Sequence, residues 1–308
     1  MTTVDWHGQQ AIQLENDHVR IVIVPGLGAK IASLVDKTAD HEWLAPPTHP
    51  VRPRTYGDTF TDHDLAGWDE MFPTIDACPS PHDPAVMLPD HGEVWALAWD
   101  ILAQDGTSLN LRIAGRALDY VLTRKVSLLP NGLRLEYELE NRTGRDLPFL
   151  WAAHPLFNGA DTDILLPANV VQVVNAADHP RLGAPGDLLD WEVATLSDGE
   201  QQTLNVVGSA ARKDYRKIYV LPDQRVSWAG LRSASAQLRL TWDTSIAPYL
   251  GIWVDEGTYT QSPTVAPEPA SAYYDSLAYA LELGRAAQLP AQGRVSWWLE
   301  IECTGIER

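Results

Sequence analysis

Short segments in which apolar and polar residues alternate dominate the sequence. In residues 133–140, four apolar side chains would share one face of a strand, while one arginine and three glutamates would face water. Residues 295–302 repeat this pattern, and shorter versions occupy residues 109–113 and 237–242. Turn-forming residues such as Pro130-Asn131-Gly132 lie between such segments, as expected for hairpins. The alternation predicts an all-β fold, a large antiparallel β-sandwich in which each sheet buries one face.

Helical signal is scarce by comparison. One segment, residues 275–284, resembles a short helix, with Asp275 as its predicted cap and Gly284 as its stop. Two polar stretches rich in proline, residues 45–66 and 178–202, are predicted to be long surface loops of the kind that shape binding sites. Because no linker-like change in composition and no repeat of fixed period is found, residues 1–308 are predicted to form a single domain.

The charge of the chain disfavours several classes of partner. It contains 41 acidic residues against 23 lysines and arginines, a formal net charge of −18. Nucleic acids and anionic membrane surfaces would be repelled, so neither is an expected partner, and a neutral small molecule fits better. No apolar run approaches the ~20 residues needed to cross a bilayer, and the N-terminal residues show no signal-peptide pattern. Since Cys78 and Cys303 provide no disulfide framework, we expect a cytoplasmic protein.

Three other patterns have ordinary structural explanations. Gly26-Leu27-Gly28 lacks the third glycine of a dinucleotide fingerprint and precedes a strand-like segment, so it is expected to form a turn. Acidic residues and histidines between positions 62 and 82 include metal-ligand types, but their spacing matches no metal motif, and no metal is predicted. Most of the 12 tryptophans are expected in the core, while Trp68, Trp151 and Trp253 lie near polar motifs and could line a binding site.

A histidine and a glutamate, each beside proline, form a candidate acid–base pair. His154 opens the segment His154-Pro155-Leu156-Phe157-Asn158, and Glu268 lies between Pro267 and Pro269. Glutamate is ionised at neutral pH and histidine has an ordinary pKa of ~6.5, so the two can exchange protons with a bound molecule. Taken singly, a histidine before proline is more often a structural loop residue, and an isolated glutamate is usually solvated.

Five segments, in this order, resemble the aldose 1-epimerase (galactose mutarotase) family. They are the strand–glycine–strand region at 14–36, the segment Gly-Trp-Asp-Glu-Met-Phe-Pro at 67–73, the His-Gly motif at 91–95, the His-Pro segment at 154–158, and residues 249–277 around Glu268. Each motif is short, but the ordered set spans nearly the whole chain. The resemblance implies a mutarotase-type β-supersandwich and an isomerase that interconverts the α and β anomers of a sugar, with no cofactor and no metal.

The resemblance also implies roles for individual residues. Glu268 is expected to act as the base that removes the proton from the C1 hydroxyl, and His154 as the acid that protonates the ring oxygen. His91 is expected to hydrogen-bond the sugar. Weaker expectations of substrate contact fall on Arg54 (with Arg52 as the other arginine in that region), Trp253, Asp69 and Glu70. Asp255 is expected either to bind a hydroxyl or to end a strand.

Two alternative functions stay open at this point. A mutarotase for phosphorylated sugars would need basic residues in the pocket, which Arg52, Arg54 or Arg124-Lys125 could supply, although the net charge of −18 disfavours an anionic ligand. A non-catalytic carbohydrate-binding protein could keep the same fold, but binding alone needs no acid and base facing each other. In either case the expected partner is a small-molecule sugar, and the expected state is a monomer or a homodimer.

Overall fold

The computed structural model describes residues 2–305, and this part of the chain is built almost entirely from β-strands. The strands of the first half are β1 (Thr2–Trp6), β2 (Gln9–Glu15), β3 (Val19–Val24), β4 (Lys30–Asp36), β5 (His41–Glu42), β6 (Trp68–Met71), β7 (Cys78–Pro79), β8 (Met87–Leu88), β9 (Asp100–Gln104), β10 (Ser108–Ala114), β11 (Tyr120–Leu129), β12 (Gly132–Asn141), β13 (Leu147–Phe149) and β14 (Ala152–Pro155).

The second half continues in the same way. Its strands are β15 (Phe157–Asn158), β16 (Asp163–Leu165), β17 (Gln172–Asn175), β18 (Leu188–Asp190), β19 (Val193–Thr195), β20 (Gln201–Thr203), β21 (Asp214–Val220), β22 (Trp228–Arg232), β23 (Ala236–Trp242), β24 (Tyr249–Glu256), β25 (Thr264–Ala270), β26 (Ala287–Leu289) and β27 (Arg294–Gly305). Within residues 2–305 the single α-helix, α1, spans Leu277–Glu282, and single 3₁₀ turns occupy Phe60–Asp62, Val94–Ala96 and Ala210–Arg212.

Two large sheets organise these strands. The main path of the 13-stranded sheet runs β1-β2-β3-β4-β6-β14-β25-β24-β21-β17-β18, with β5 paired to β4 and β15 paired to β25. The eight-stranded sheet runs β16-β22-β23-β27-β12-β11-β10-β9. One continuous cluster of buried apolar side chains draws on both sheets, so they pack face to face. The prediction of an all-β fold, a large antiparallel β-sandwich, is confirmed.

The predicted alternation decides which face of each strand is buried. On β12, Leu133, Leu135 and Leu139 are fully buried, while Glu136 and Glu138 are exposed. On β27, which pairs with β12, Leu299 lies opposite Leu135 and is also fully buried. Burying one such side chain contributes roughly 1.5–3 kcal/mol, so a strand shifted by one residue would lose this stabilisation along its whole length.

The predicted helix is shorter than expected and has a different cap. Ser276 caps it, because its hydroxyl accepts a hydrogen bond from the backbone N–H of Tyr279, whereas Asp275 makes no such contact. Asp275 instead binds Lys217 and Tyr219, far along the chain. The stop at Gly284 is confirmed, since this residue has a left-handed φ of 64° that glycine adopts without strain.

The two predicted loops differ in outcome. Residues 178–202 are not a single loop, because they contain β18 and β19 and the start of β20. Residues 45–66 contain one 3₁₀ turn, Phe60–Asp62, and no strand, yet Phe60 and Leu65 are buried. This second segment therefore folds down onto the body of the protein, with apolar side chains pointing inward.

Candidate active site

A cavity of about 370 Å³ opens on one face of the large sheet. Side chains of β14, β21, β24 and β25 form its floor, and the segments around Phe60, Asp76 and Thr260 form its walls. Alternate residues of the same strands, such as Ile218 and Ile252, point the other way into the core between the sheets. The cavity therefore lies on the face of the large sheet opposite to the core.

Strand register places His154 directly opposite Glu268. The pairs Ala152–Ala270 and Phe157–Val265 lie on either side of these residues and share one antiparallel register. Between them the ladder lacks hydrogen bonds, in keeping with Pro155, Pro267 and Pro269, whose nitrogens carry no hydrogen. As a result, a histidine and a glutamate 114 positions apart in the chain meet at the floor of the cavity.

Glu268 lies fully buried beneath the floor and is only half paired. Its Oε2 accepts a hydrogen bond from Lys217, whereas its Oε1 has no hydrogen-bond donor among residues 2–305. Oε1 lies 3.7 Å from Nε2 of His154. Burial raises the pKa of Glu268 to about 7, since the effect of Lys217 in the opposite direction is smaller. This carboxyl group can therefore gain and lose a proton near neutral pH.

His154 is nearly as buried, at 6% exposure, but lines the cavity. Burial, together with the nearby His91 and Lys217, lowers the pKa of His154 well below its ordinary value. The edge of its ring packs against Phe60, with ring centroids 5.3 Å apart. Its imidazole is therefore neutral at pH 7 in the free protein, and its plane is fixed by an aromatic neighbour.

His91 forms the wall next to His154, and the two ring centroids are 5.5 Å apart. Its Nδ1 lies 2.8 Å from a carboxylate oxygen of Asp90, and its ring stacks on Phe60 at 4.2 Å. Among the described residues its Nε2 makes no hydrogen bond. This nitrogen can therefore bind a ligand in the cavity, as expected from the sequence.

Trp253 belongs to a second, aromatic wall of the cavity. Its ring packs near Tyr215 and Tyr259, with both centroid separations at 5.5 Å. Asp255, two residues later, faces the turn that follows β24 and accepts hydrogen bonds from the backbone N–H groups of Thr258, Tyr259 and Thr260. Trp253 thus lines the cavity as expected, whereas Asp255 holds the turn that carries Tyr259.

Two residues at the cavity were not singled out as site residues from the sequence. Lys217 lies on β21 and is 7% exposed at its side chain, and its Nζ lies 3.2 Å from Asp275 as well as bonding to Glu268. A pattern could have revealed it: Tyr215, Lys217 and Tyr219 alternate on one face of β21, a polar face within a buried strand. Asp275 belongs to the segment that resembles the family, but the role predicted for it is that of a helix cap, which the adjacent Ser276 fills.

Arg54 and Asp69 do not line the cavity, contrary to expectation. They form a buried ring of alternating charge with Lys30 and Asp64, which we call the ionic latch. Arg54 lies 2.7 Å from Asp64 and 2.8 Å from Asp69, and Lys30 lies 3.0 Å and 2.7 Å from the same two carboxylates. Lys30 and Arg54 hold the pKa of Asp64 well below its usual range, although burial acts to raise it.

The latch explains why residues 45–66 fold inward. Arg54 and Asp64 belong to that segment, whereas Lys30 and Asp69 belong to β4 and β6 of the large sheet. Each ion pair between the two parts therefore ties the segment to the sheet. Because the side chain of Arg54 is only 1% exposed and already paired, its place argues against a substrate contact.

The expectation that Glu70 contacts the substrate is also wrong. Its side chain is fully buried and accepts hydrogen bonds from Arg124, Tyr137 and Trp151, at 3.0, 2.8 and 2.8 Å. Since these three donors occupy the carboxylate inside the core, Glu70 stabilises the fold and does not reach the cavity. Trp68 and Trp151 are likewise fully buried, so of the three tryptophans near polar motifs only Trp253 lines the cavity.

Other expectations concern metals, cysteines and membranes. Within residues 2–305, no group of three or more His, Cys, Asp or Glu side chains is arranged to hold a metal ion. Cys78 and Cys303 are both buried and not bonded to each other. None of the helices in the described part of the chain has the length and apolar character required to cross a membrane.

Solved structures share this architecture, although no family model and no curated protein sequence matches the chain. The Slr1438 protein from Synechocystis sp. PCC 6803 is 17% identical, with a TM-score of 0.71 over 99% of this chain and 100% of its own. A galactose mutarotase-like protein from Lactobacillus casei is 19% identical, with a TM-score of 0.66 over 96% and 100%. A galactose mutarotase related enzyme from Lactobacillus acidophilus is 15% identical, with a TM-score of 0.65 over 96% and 97%. The chain has the galactose mutarotase-like fold.

Proposed function

We propose that this protein is an aldose 1-epimerase that interconverts the α and β anomers of a neutral sugar. One observation carries the proposal: Oε1 of Glu268 lies 3.7 Å from Nε2 of His154, which lines the cavity, and this oxygen has no hydrogen-bond donor among residues 2–305. The shared fold with galactose mutarotase-like proteins supports it. Positioned acid–base groups of this kind contribute typically ~10²–10⁴-fold to a rate.

The proposed reaction moves one proton at each end of the hemiacetal. Oε1 of Glu268 takes the proton of the C1 hydroxyl while Nε2 of His154 gives a proton to the ring oxygen. The bond between C1 and the ring oxygen breaks, and its electron pair goes to the ring oxygen, leaving an open-chain aldehyde. After rotation about the bond between C1 and C2, the reverse transfers close the ring on the other face of the carbonyl.

The directions of the two pKa shifts suit these transfers. A buried imidazole with a lowered pKa is a stronger acid once it is protonated, and a buried carboxylate with a raised pKa is a stronger base once it is ionised. The pair holds one proton throughout: on His154 before ring opening and on Glu268 after it. In the free protein burial favours the neutral arrangement, so the reactive ionic arrangement is the less populated one.

The charges around the cavity favour a neutral sugar over a phosphorylated one. Among the described residues, Lys217 is the only lysine or arginine that lines the cavity, and it is already paired with Glu268 and Asp275. Arg54, one of the basic residues that could have met an anionic ligand, is paired in the latch. A phosphate group would therefore find no unpaired cation at this site and would meet Asp76 at its edge.

Magnetisation exchange between the two anomeric proton signals, measured by NMR, tests the proposal. Neutral hexoses and pentoses are compared with hexose 6-phosphates, with wild-type protein and with His154→Asn. We expect wild type to accelerate exchange for at least one neutral sugar and for none of the phosphates, and His154→Asn to lose about 100-fold or more. No acceleration of any sugar would refute the enzyme proposal, and sugar binding without acceleration would favour a binding protein.

A further inference from the structure

Lys217 connects the proposed base to a second carboxylate. Its Nζ donates to Oε2 of Glu268 and lies 3.2 Å from Oδ1 of Asp275. The hydroxyl of Tyr219 donates to the same oxygen of Asp275 at 2.7 Å. A continuous chain of polar contacts therefore runs beside the cavity from Tyr219 through Asp275 and Lys217 to Glu268. It ends beside His154 at Oε1 of Glu268, which has no hydrogen-bond donor among residues 2–305.

The fold builds this chain from three neighbouring strands. Across β21, β24 and β25, Tyr219, Gly251 and Glu268 lie in one row, and Lys217 and Trp253 belong to the next row. Gly251 separates the other two residues of its row, and a Cβ atom there would lie 2.9 Å from the ring of Tyr219. Because Gly251 has no side chain, Tyr219 can lie over it and Lys217 can reach across to Glu268.

We propose that Lys217 is a positioning residue for the ring-opening reaction, which acts through Glu268 and not on the sugar. By binding Oε2 it turns Oε1 toward His154 and the cavity, and its positive charge balances the ionised carboxylate that must take the proton. Asp275 limits this effect, because it shares the same ammonium group. This inference rests on the proposed function, since it assigns a part in that reaction.

The charged and titratable groups around Glu268 set the sign of each effect. They are Lys217 and Tyr219 on β21, His154 on β14, Asp275 after β25, and His91 and Asp76 from the wall. Lys217 lowers the pKa of Glu268 and Asp275 raises it, while burial raises it most. Removing Lys217 therefore makes the carboxylate harder to ionise, and neutralising Asp275 makes it easier.

Two substitutions should consequently move the pH dependence in opposite directions. The active pair carries one proton, and this proton is lost as pH rises through the pKa of Glu268, so the exchange rate of wild type falls with pH on an alkaline limb. In Lys217→Met this limb should move to higher pH by about one unit or more, and the rate on the plateau below it should fall about tenfold, because the shared proton then stays on Glu268 more of the time. In Asp275→Asn it should move to lower pH. A merely structural role would reduce the rate at every pH without moving the limb.

Matched variants control for charge and folding. Lys217→Arg keeps the charge and should leave the limb close to that of wild type. Lys125→Met makes the same substitution at an exposed lysine and should leave rate and limb unchanged. If Lys217→Met does not fold, Asp275→Asn still tests the proposal, because its limb should move to lower pH than that of wild type. Limbs that coincide with wild type, or that move in the same direction in both variants, would overturn the proposal.

A second readout separates this inference from the proposed function. The carboxyl carbon signal of Glu268, assigned by its disappearance in Glu268→Gln, can be titrated by NMR without any turnover. Its midpoint should rise in Lys217→Met and fall in Asp275→Asn. If wild type accelerates no sugar but these midpoints move as stated, the enzyme proposal fails while the link between Lys217 and Glu268 stands. If exchange is fast and the midpoints do not move, only the role of Lys217 fails.

Discussion

Two groups of buried charges lie side by side on the large sheet, the ionic latch and the pocket cluster of Lys217, Glu268, Asp275 and His154. They touch at one point, because Asp69 of the latch pairs across strands with His154. In the latch each of the four charges contacts two of opposite sign, at 2.7–3.0 Å. In the pocket cluster one oxygen of Glu268 and one ring nitrogen of His154 find no partner among residues 2–305.

The difference shows how the same residue types form a closed ring in one place and an open cluster, the proposed active site, in the other. In a closed ring each charge already has two partners of opposite sign, so a ligand would gain little by binding there. An open cluster keeps an unsatisfied acceptor next to a cavity, which costs stability and leaves that acceptor available to a substrate. The pKa shifts follow this division, since Asp64 is held ionised by its partners while the pKa of Glu268 is raised to about 7 by burial.

Breaking the latch should have the largest effect on stability. In Arg54→Met, Asp64 and Asp69 stay buried with only Lys30 to balance two negative charges. We expect a loss of about 3–5 kcal/mol in the free energy of unfolding, measured with urea. Arg232→Met is the control, because this arginine makes an exposed ion pair with Asp163 and should change stability by about 0.5 kcal/mol or less. Equal losses in both variants would mean that the latch is no stronger than a surface pair.

Neutralising Glu268 in the pocket cluster should increase the free energy of unfolding at high pH, whereas breaking the latch lowers it. The folded protein holds a proton on Glu268 up to a pKa of about 7, whereas the unfolded chain releases it near 4.5, so folding loses stability as pH rises through this range. Glu268→Gln removes this dependence. We expect the variant to gain up to about 3 kcal/mol on wild type between pH 5 and pH 8, measured by urea unfolding at both values. A constant difference would contradict the raised pKa.

The smallest effect is expected at Gly251, which provides space for the pocket cluster. In Gly251→Ala the new Cβ atom would lie 2.9 Å from the ring of Tyr219, so that ring must shift and its hydrogen bond to Asp275 weakens. A loss of about 1–3 kcal/mol in unfolding free energy is expected, together with slower anomer exchange. Gly106→Ala is the control, because a Cβ atom there meets nothing within 4 Å. Similar changes in stability and exchange rate for Gly251→Ala and Gly106→Ala would contradict the claim that Gly251 provides space for Tyr219.

The sequence predicts the sheets better than it predicts the two clusters. Alternation along residues 133–140 and 295–302 is a local property that burial enforces. The buried face of each of these strands could therefore be predicted from the sequence alone. The meeting of His154 and Glu268 depends on strand register across 114 positions, which the sequence alone indicated only through the family resemblance.

Charged residues show why the rest could not be predicted. Arg54 and Lys217 each closely follow an arginine in the sequence, yet one closes the latch and the other binds the proposed base. Which carboxylates they meet is decided by long-range pairing of strands and by the inward fold of residues 45–66. Aspartate and serine are both common helix caps, and Asp275 is instead held by Lys217 and Tyr219, which are distant in the sequence, while Ser276 caps the helix.

The most direct test measures anomer exchange and unfolding free energy on the same samples of wild type, Glu268→Gln and Arg54→Met. The account predicts that Glu268→Gln loses about 100-fold or more of the exchange rate at pH 7 while its stability is kept or increased. It predicts that Arg54→Met loses stability but, at a temperature where it remains folded, keeps most of its exchange rate. Unchanged exchange in Glu268→Gln would contradict the assignment of the pocket cluster as the catalytic one.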